Sequence, residues 1–425
     1  MIVVELVLVA TFLLVALVMV RQLVLTIAFW FTTPRPPVDW VEEDAPRVAI
    51  LIPAHNEERV IDGCLEAMRR IDYPADRTRI VVINDRSRDA TGAIAERHAA
   101  EDARIEVIHR TDDMQPGKPA ALAGTIAALS DTCDAFIFFD ADYVPSPRLV
   151  RHLVAPFRDP AVGATMGRVV PYNTDANLLT KLIDLERRGG YVIDQEMRHR
   201  LGFLPQFGGT CGAVRASSLA AVGGWNTTVL AEDTDLTYRL FIAGYRVEYL
   251  LGAACYEESP EDWRVRFRQV RRWAYGHNDC LFRYFLPVLR ASHHSIWARL
   301  DAAVVLLFYI VPVLSLVSLV ILILSPALGV ISAAPLVAVV SFFGYSAIGN
   351  FAPYFQIAGG CVHDRQTVAI RSMPLIFLSS FISMFASCSG VMNLLRDRVS
   401  GLAPHWDKTS RFRKGGSLPI GSDDG

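Results

Sequence analysis

Hydrophobic and polar positions divide the chain into three regimes. Residues 2–31 are almost continuously apolar, interrupted by Glu5 and by Arg21 with Gln22. That run predicts a helix crossing a bilayer, which needs about 20 residues. A cleaved signal peptide is the competing reading, weakened by the lack of a basic start and of an A-x-A site after the apolar run. Pro34, Pro36 and Pro37 end any helix, and Glu42 to Asp44 open a water-facing linker.

From Arg47 short β-branched runs alternate with helical stretches. VAILI (48–52), RIVVI (79–83), RIEVI (104–108) and AFIFF (135–139) predict strands; 57–70, 89–101 and 118–129 predict the helices between them. This alternation implies βαβ crossovers and a mostly parallel sheet whose strand ends gather the chemistry. Further on, the pattern predicts a strand at 161–170, a helix at 175–200, a Gly-rich turn at 207–212, a helix from Ala231 to about Ala243 and a strand at 246–250. In the helical segment Trp263 to Gly276, the residues Gln269, Arg272 and Trp273 stand at i, i+3 and i+4, on one face.

The third regime is apolar again. Residues 281–300 mix large apolar groups with Arg283, Arg290, Arg299 and a His pair, which reads as a helix in the membrane interface or as an amphipathic surface helix. Spanning candidates follow at 302–325, 331–352 and 372–395, then a basic tail. The boundaries are a transmembrane anchor at 1–33, a water-facing domain at 45–280, the interfacial helix at 281–300, a membrane region at 301–395 and the tail at 396–425. With that domain cytosolic, three crossings put the tail outside, whereas its positive charges argue for inside. A re-entrant piece at 372–395 or Pro353 to Val362, or two short spans hidden in one stretch, would reconcile the two.

Composition agrees with a membrane protein that has a soluble middle, since hydrophobic residues make up 52% of 425 and mean hydropathy is +0.29. A net charge of -2 argues against nucleic acid as partner. Seven scattered cysteines with no C-x-x-C pair fit reduced thiols in a cytosolic compartment.

Three polar clusters sit at the ends of predicted strands: Pro53-Ala54-His55-Asn56-Glu57, Asn84-Asp85-Arg86-Ser87 and Asp140-Ala141-Asp142. Carboxylates at i and i+2 lie on one side of an extended chain, where they could share Mg²⁺ or Mn²⁺ with phosphate oxygens and water. For an isolated D-x-D, an Asp-rich turn is the alternative. The chain has no G-x-x-x-x-G-K-[ST] loop and no H-E-x-x-H, and its carboxylates do not declare a glycosidase pair.

PAHNEE (53–58), NDRSRD (84–89), GKPAAL (117–122), DAD (140–142), FGGT (207–210), AED (231–233) and QVRRW (269–273) follow one another in order. In this the chain resembles the membrane-embedded family-2 glycosyltransferases, the group of cellulose, hyaluronan, chitin-oligosaccharide and poly-N-acetylglucosamine synthases. The resemblance implies an α/β fold, a GT-A-like Rossmann-type domain inserted between an N-terminal transmembrane helix and C-terminal transmembrane helices. It further implies a multi-pass protein of the plasma (inner) membrane with its catalytic domain in the cytosol.

By the same resemblance, Pro53, Glu57 and Asp85 belong to the pocket of a UDP-hexose donor, Asp85 reading the uracil or ribose; a turn or helix-cap role is the alternative, and Asp89 is the better cap. Lys118 adds positive charge near the donor or is a solvated surface lysine. Asp142 is the direct ligand of Mg²⁺ or Mn²⁺, and Asp140 contacts both metal and nucleotide. Asp233 is the base, Glu232 its neighbour and Asp235 a decoy; Ala231 departs from the family's Thr. Gly208, Gly209, Thr210, Gln269, Arg272 and Trp273 meet substrate, Trp273 as a ring for sugar stacking or as core filler. His405-Trp406-Asp407-Lys408-Thr409 closes over the donor or anchors to lipid headgroups.

The implied activity is inverting, processive polymerisation of glucose or N-acetylglucosamine from the UDP-sugar, with the glycan extruded through the membrane. One alternative moves a single sugar to a lipid acceptor, and another is a catalytically silent export scaffold. An export or regulatory partner would be a separate subunit.

Overall fold

The computed structural model describes residues 2–36, 38, 40–327 and 351–402. Their packing gives two units, one formed by Pro36–Thr180 with Leu204–Asp262, the other by the described residues of Met1–Arg35, Lys181–Phe203 and Trp263–Asp407. The stretch 181–203 and the start of the QVRRW helix thus pack with apolar helices, a division that differs from a linear 45–280 domain.

The first unit is built on a sheet. Among the described residues its eight strands are β1 (Val48–Ala54), β2 (Thr78–Asp85), β3 (Ile105–Arg110), β4 (Ala135–Phe138), β5 (Val144–Pro145), β6 (Val162–Pro171), β7 (Gly212–Arg215) and β8 (Arg246–Glu257), in the order β3-β2-β1-β4-β7-β6-β8-β5. The first four pair in parallel, with Ile50 beside Ile80 and Ile137. Their unbroken apolar runs are buried from Val48 to Ile52 and from Ala135 to Phe139, as strands covered on both faces must be. Beyond β4 the sheet is mixed, because β7 runs antiparallel to β4 and β6, β8 parallel to β6, and β5 antiparallel to β8. The intervening helices are α2 (Ile61–Arg69), α3 (Thr91–Glu101), α4 (Lys118–Leu129), α5 (Leu149–Val154) and, later, α8 (Ala216–Ala221) and α9 (Glu232–Ile242). The parallel strands end side by side, Ala54 against Asn84, which brings the loops after β1, β2 and β4 to one edge.

The second unit is helical. α1 (Ile2–Phe31) and the helix of Thr367–Ser400, whose regular part is α14 (Ile376–Ser400), are long and apolar enough to cross a membrane. α11 (Ile296–Leu306) and α12 (Val311–Ala327) reach that length only as one span bent by 58°. A helical run over 351–363 is α13. The expected helix at 175–200 is α6 (Leu178–Arg187), a π-helical stretch Arg188–Gln195 and α7 (Glu196–Arg200).

Residues 281–300 do not form one interfacial helix. Leu281 to Leu289 are the last turns of α10 (Trp263–Leu289), and α11 starts afresh where the Ser295 hydroxyl accepts the Ala298 N–H at 3.2 Å. The expected span 331–352, apart from its last two residues, and the tail from 403 with His405–Thr409 lie outside the described residues.

Candidate active site

The loops after β1 and β2 are stitched together before any substrate is considered. Ser87 Oγ accepts the Asn56 N–H at 2.9 Å, and Asn56 Oδ1 accepts the Arg88 N–H at 2.8 Å, with Asn56 and Arg86 both at positive φ. Asp89 caps α3 from just outside it, accepting the Thr91 N–H at 3.0 Å, while the Thr91 hydroxyl accepts the Glu57 N–H at 2.7 Å. His55 Nδ1 lies 2.6 Å from the Asp85 carbonyl, and Pro53 stands on β1 beside Ile83. PAHNEE and NDRSRD are therefore one wall.

Asp85 is buried in that wall with three donors. Arg86 Nε and Arg110 Nη1 donate to Oδ1 at 2.9 and 2.8 Å, and the Gly117 N–H donates to Oδ2 at 3.0 Å. Burial alone would raise its pKa; Arg86, the Gly117 N–H and Arg110 outweigh burial and hold the carboxylate below its ordinary range. Arg110, at the end of β3, carries no mark in the sequence that would separate it from other surface arginines.

The centre of the site is the loop 206–210. Lys118 Nζ donates to Asp140 Oδ1 at 2.6 Å and lies 3.4 Å from the Gly209 carbonyl. Thr210 Oγ1 accepts the Asp140 N–H at 3.2 Å. On its other flank the same loop meets Asp233: Gly209, at φ +69, is a strained and tight place for any side chain, since a Cβ would stand 3.0 Å from Asp233 Cβ. Gly208 donates its N–H to Met166 Sδ at 3.1 Å, and a Cβ there would stand 2.6 Å from Met166 Cε. The contacts of Gly208, Gly209 and Thr210 are thus to protein, and they tie Asp140 to Asp233.

Lys118 is no solvated surface group. Burial works to lower its pKa, but Asp140, Glu232 and Asp233 outweigh that and hold it above its ordinary value, a firmly charged ammonium among three carboxylates. Asp142 is buried one residue beyond Ala141. Among the described residues no three His, Cys, Asp or Glu side chains stand together at metal-ligand spacing. Two hard carboxylates nevertheless suit Mg²⁺ or Mn²⁺ whose remaining positions come from phosphate oxygens and water.

Gln269, Arg272 and Trp273 belong to the helical unit, on α10. Gln269 Oε1 accepts from Arg266 Nη1 at 2.9 Å, and the guanidinium groups of Arg266 and Arg187 lie 5.3 and 5.9 Å from the Trp273 ring centroid. Within that unit the tryptophan ring faces cations.

A family model described as "Glycosyltransferase like family 2" matches residues 46–276, more than half of the chain. A probable glycosyltransferase, YdaM, of Bacillus subtilis is 34% identical over 271 residues, covering 63% of this chain and 64% of that protein. The β-monoglucosyldiacylglycerol synthase of Nostoc sp. is 28% identical over 284 residues, covering 66% of this chain and 60% of that protein. The chain thus spans less than two thirds of the length of either relative. A solved mannosyltransferase from Pyrobaculum calidifontis, in complex with GDP-Man and Mn²⁺, superposes with a TM-score of 0.56 at 20% identity, covering 84% of this chain and 98% of that one; at this identity the likeness speaks for the fold, the GT-A-like α/β arrangement. With the motifs after β1, β2 and β4 on one sheet edge and the family match over 46–276, the chain belongs to the family-2 glycosyltransferases.

Proposed function

We propose that this chain is a membrane-bound glycosyltransferase that moves one hexose from a nucleotide-sugar donor, UDP-glucose, to the hydroxyl of a lipid acceptor of the diacylglycerol class. The observation that carries the chemistry is the 206–210 loop, which holds Asp140 on one side and Asp233 on the other. The lipid acceptor is supported by the likeness to β-monoglucosyldiacylglycerol synthase and by apolar helices long enough to span a bilayer. Processive polymerisation has less behind it, since the likeness runs to a synthase whose name describes one glucose on diacylglycerol.

Asp233 takes the proton of the acceptor hydroxyl as that oxygen bonds to the anomeric carbon. The bond from this carbon to the diphosphate breaks on the opposite face, so an α-linked donor gives a β-linked product. Asp85 faces the nucleoside, and Lys118 supplies a fixed positive charge close to where the diphosphate leaves. Asp140 and Asp142 would hold a divalent cation, which when bound offsets the charge growing on the leaving diphosphate. In this reading the donor side faces the cytosol, at the inner membrane.

The test is full-length protein in detergent micelles with UDP-glucose, dioleoylglycerol and Mg²⁺ or Mn²⁺. Mass spectrometry is expected to find a lipid carrying one hexose, and Asp142→Asn to abolish its formation without loss of the folded protein. A ladder of longer glycans as the product, or full turnover by Asp142→Asn, overturns the reading.

A further inference from the structure

Asp233 is held by more than its own helix. Thr234 and Thr237, in the first turns of α9, are both fully buried, and a buried hydroxyl needs partners. The Thr234 N–H donates to Asp233 Oδ1 at 2.6 Å, and the Thr234 hydroxyl lies 3.3 Å from the same oxygen. From the other side Gln206 Nε2 donates to Thr234 Oγ1 at 2.9 Å. A hydroxyl has a single proton, and an amide NH₂ can only donate. The Thr234 hydroxyl thus accepts from Gln206 and donates to Asp233 Oδ1.

Thr237 grips the backbone of the same residue. Its hydroxyl accepts the Phe207 N–H at 3.1 Å and donates to the Asp233 carbonyl at 2.7 Å. Gly209 closes the third side, against Asp233 Cβ. Ala231, where the family motif has Thr, brings no hydroxyl of its own.

We propose that Gln206 and Thr234 are positioning residues for the base, a two-step hydrogen-bond relay that fixes Asp233 Oδ1 and leaves Oδ2 to receive the acceptor proton. The inference rests on the reading of Asp233 as base. Thr234→Val keeps shape and backbone N–H but loses the hydroxyl. It is expected to lower kcat about ten-fold, roughly one hydrogen bond to a charged group, while the KM for UDP-glucose stays within two-fold. Thr234→Ser restores kcat to within about two-fold of the natural enzyme. Gln206→Met lowers kcat about three- to five-fold on its own, and has a clearly smaller effect in the Thr234→Val background because it acts on the base through that hydroxyl.

Turnover of UDP-glucose with dioleoylglycerol reads all of these in full-length protein, with Asp233→Asn beside them. If Thr234→Val does not fold, the half-buried Gln206→Met carries the test through its kcat-only effect. Wild-type kcat in Thr234→Val with Asp233→Asn inactive overturns the positioning role alone, as do additive effects of the two relay substitutions. Full activity in Asp233→Asn overturns the base and the relay together.

Discussion

A buried carboxylate persists where donors replace the water it has lost, and Asp85 does so through Arg86, Arg110 and the Gly117 N–H. Burial opposes its charge, the three donors overcome that, and the folded-state pKa falls below its unfolded value of about 3.9. A depressed acid contributes stability that is complete above its unfolded pKa and is lost as pH falls toward the folded pKa. Tm measured from pH 6 down to 3 is therefore expected to fall more steeply in the natural protein than in Asp85→Asn, which starts lower. Equal slopes would remove Asp85 from the acid response. Asp85 and Asp140 stand out in the sequence as carboxylates at the ends of apolar runs, and Asp233 through the AED motif of the family resemblance. Arg110, Gln206 and Thr234 do not, since each takes its role from a partner that only folding supplies: Arg110 is 25 residues from Asp85, and Gln206 is 28 residues from Thr234.

Elements with a strong period of their own were readable. The four parallel strands and α3 and α4 fall where apolar runs and caps put them. β5 and β7 were not, because Val144–Pro145 has two residues and Gly212–Arg215 follows a glycine-rich turn; their pairing with β8, β4 and β6 makes them strands. α10 misled in the other direction. Its sequence changes from arginine-rich to apolar near residue 280, yet the helix runs on to Leu289. Along this helix lies α14, and at Gly390 the two backbones touch: a Cβ there would stand 2.4 Å from the Arg271 carbonyl and 3.1 Å from the Tyr275 nitrogen. Backbone atoms cannot turn aside as a side chain can. Gly390→Ala is expected to cost on the order of 1–3 kcal/mol, read as a lower Tm by intrinsic fluorescence in detergent. An unchanged Tm would mean that α10 and α14 separate without loss.

At the scale of the molecule, chain order and packing part company. The segment 181–203 interrupts the catalytic unit and packs with α1 and the C-terminal helices, so a linear reading of domains could not find it. The same segment explains Arg21, which in sequence was merely an interruption of an apolar run. Arg21 Nη1 lies 2.5 Å from Asp194 and its Nε 2.6 Å from Asp301, both buried, and Arg198 pairs with the second oxygen of Asp194 at 2.7 Å. One arginine in α1 thus joins the π-helical stretch and α11, and with Arg198 it balances two carboxylates. Removing one member of a buried ion pair leaves a charge without compensation, which costs about 3–5 kcal/mol, whereas removing both is often neutral. Arg21→Met leaves Asp301 uncompensated but Asp194 still paired with Arg198. It is expected to lower the detergent-phase Tm sharply, and Arg21→Met with Asp301→Asn to recover most of the loss. A double variant no more stable than Arg21→Met would show that the arginine acts by packing, against the Phe308 ring 5.2 Å away, and not by its charge.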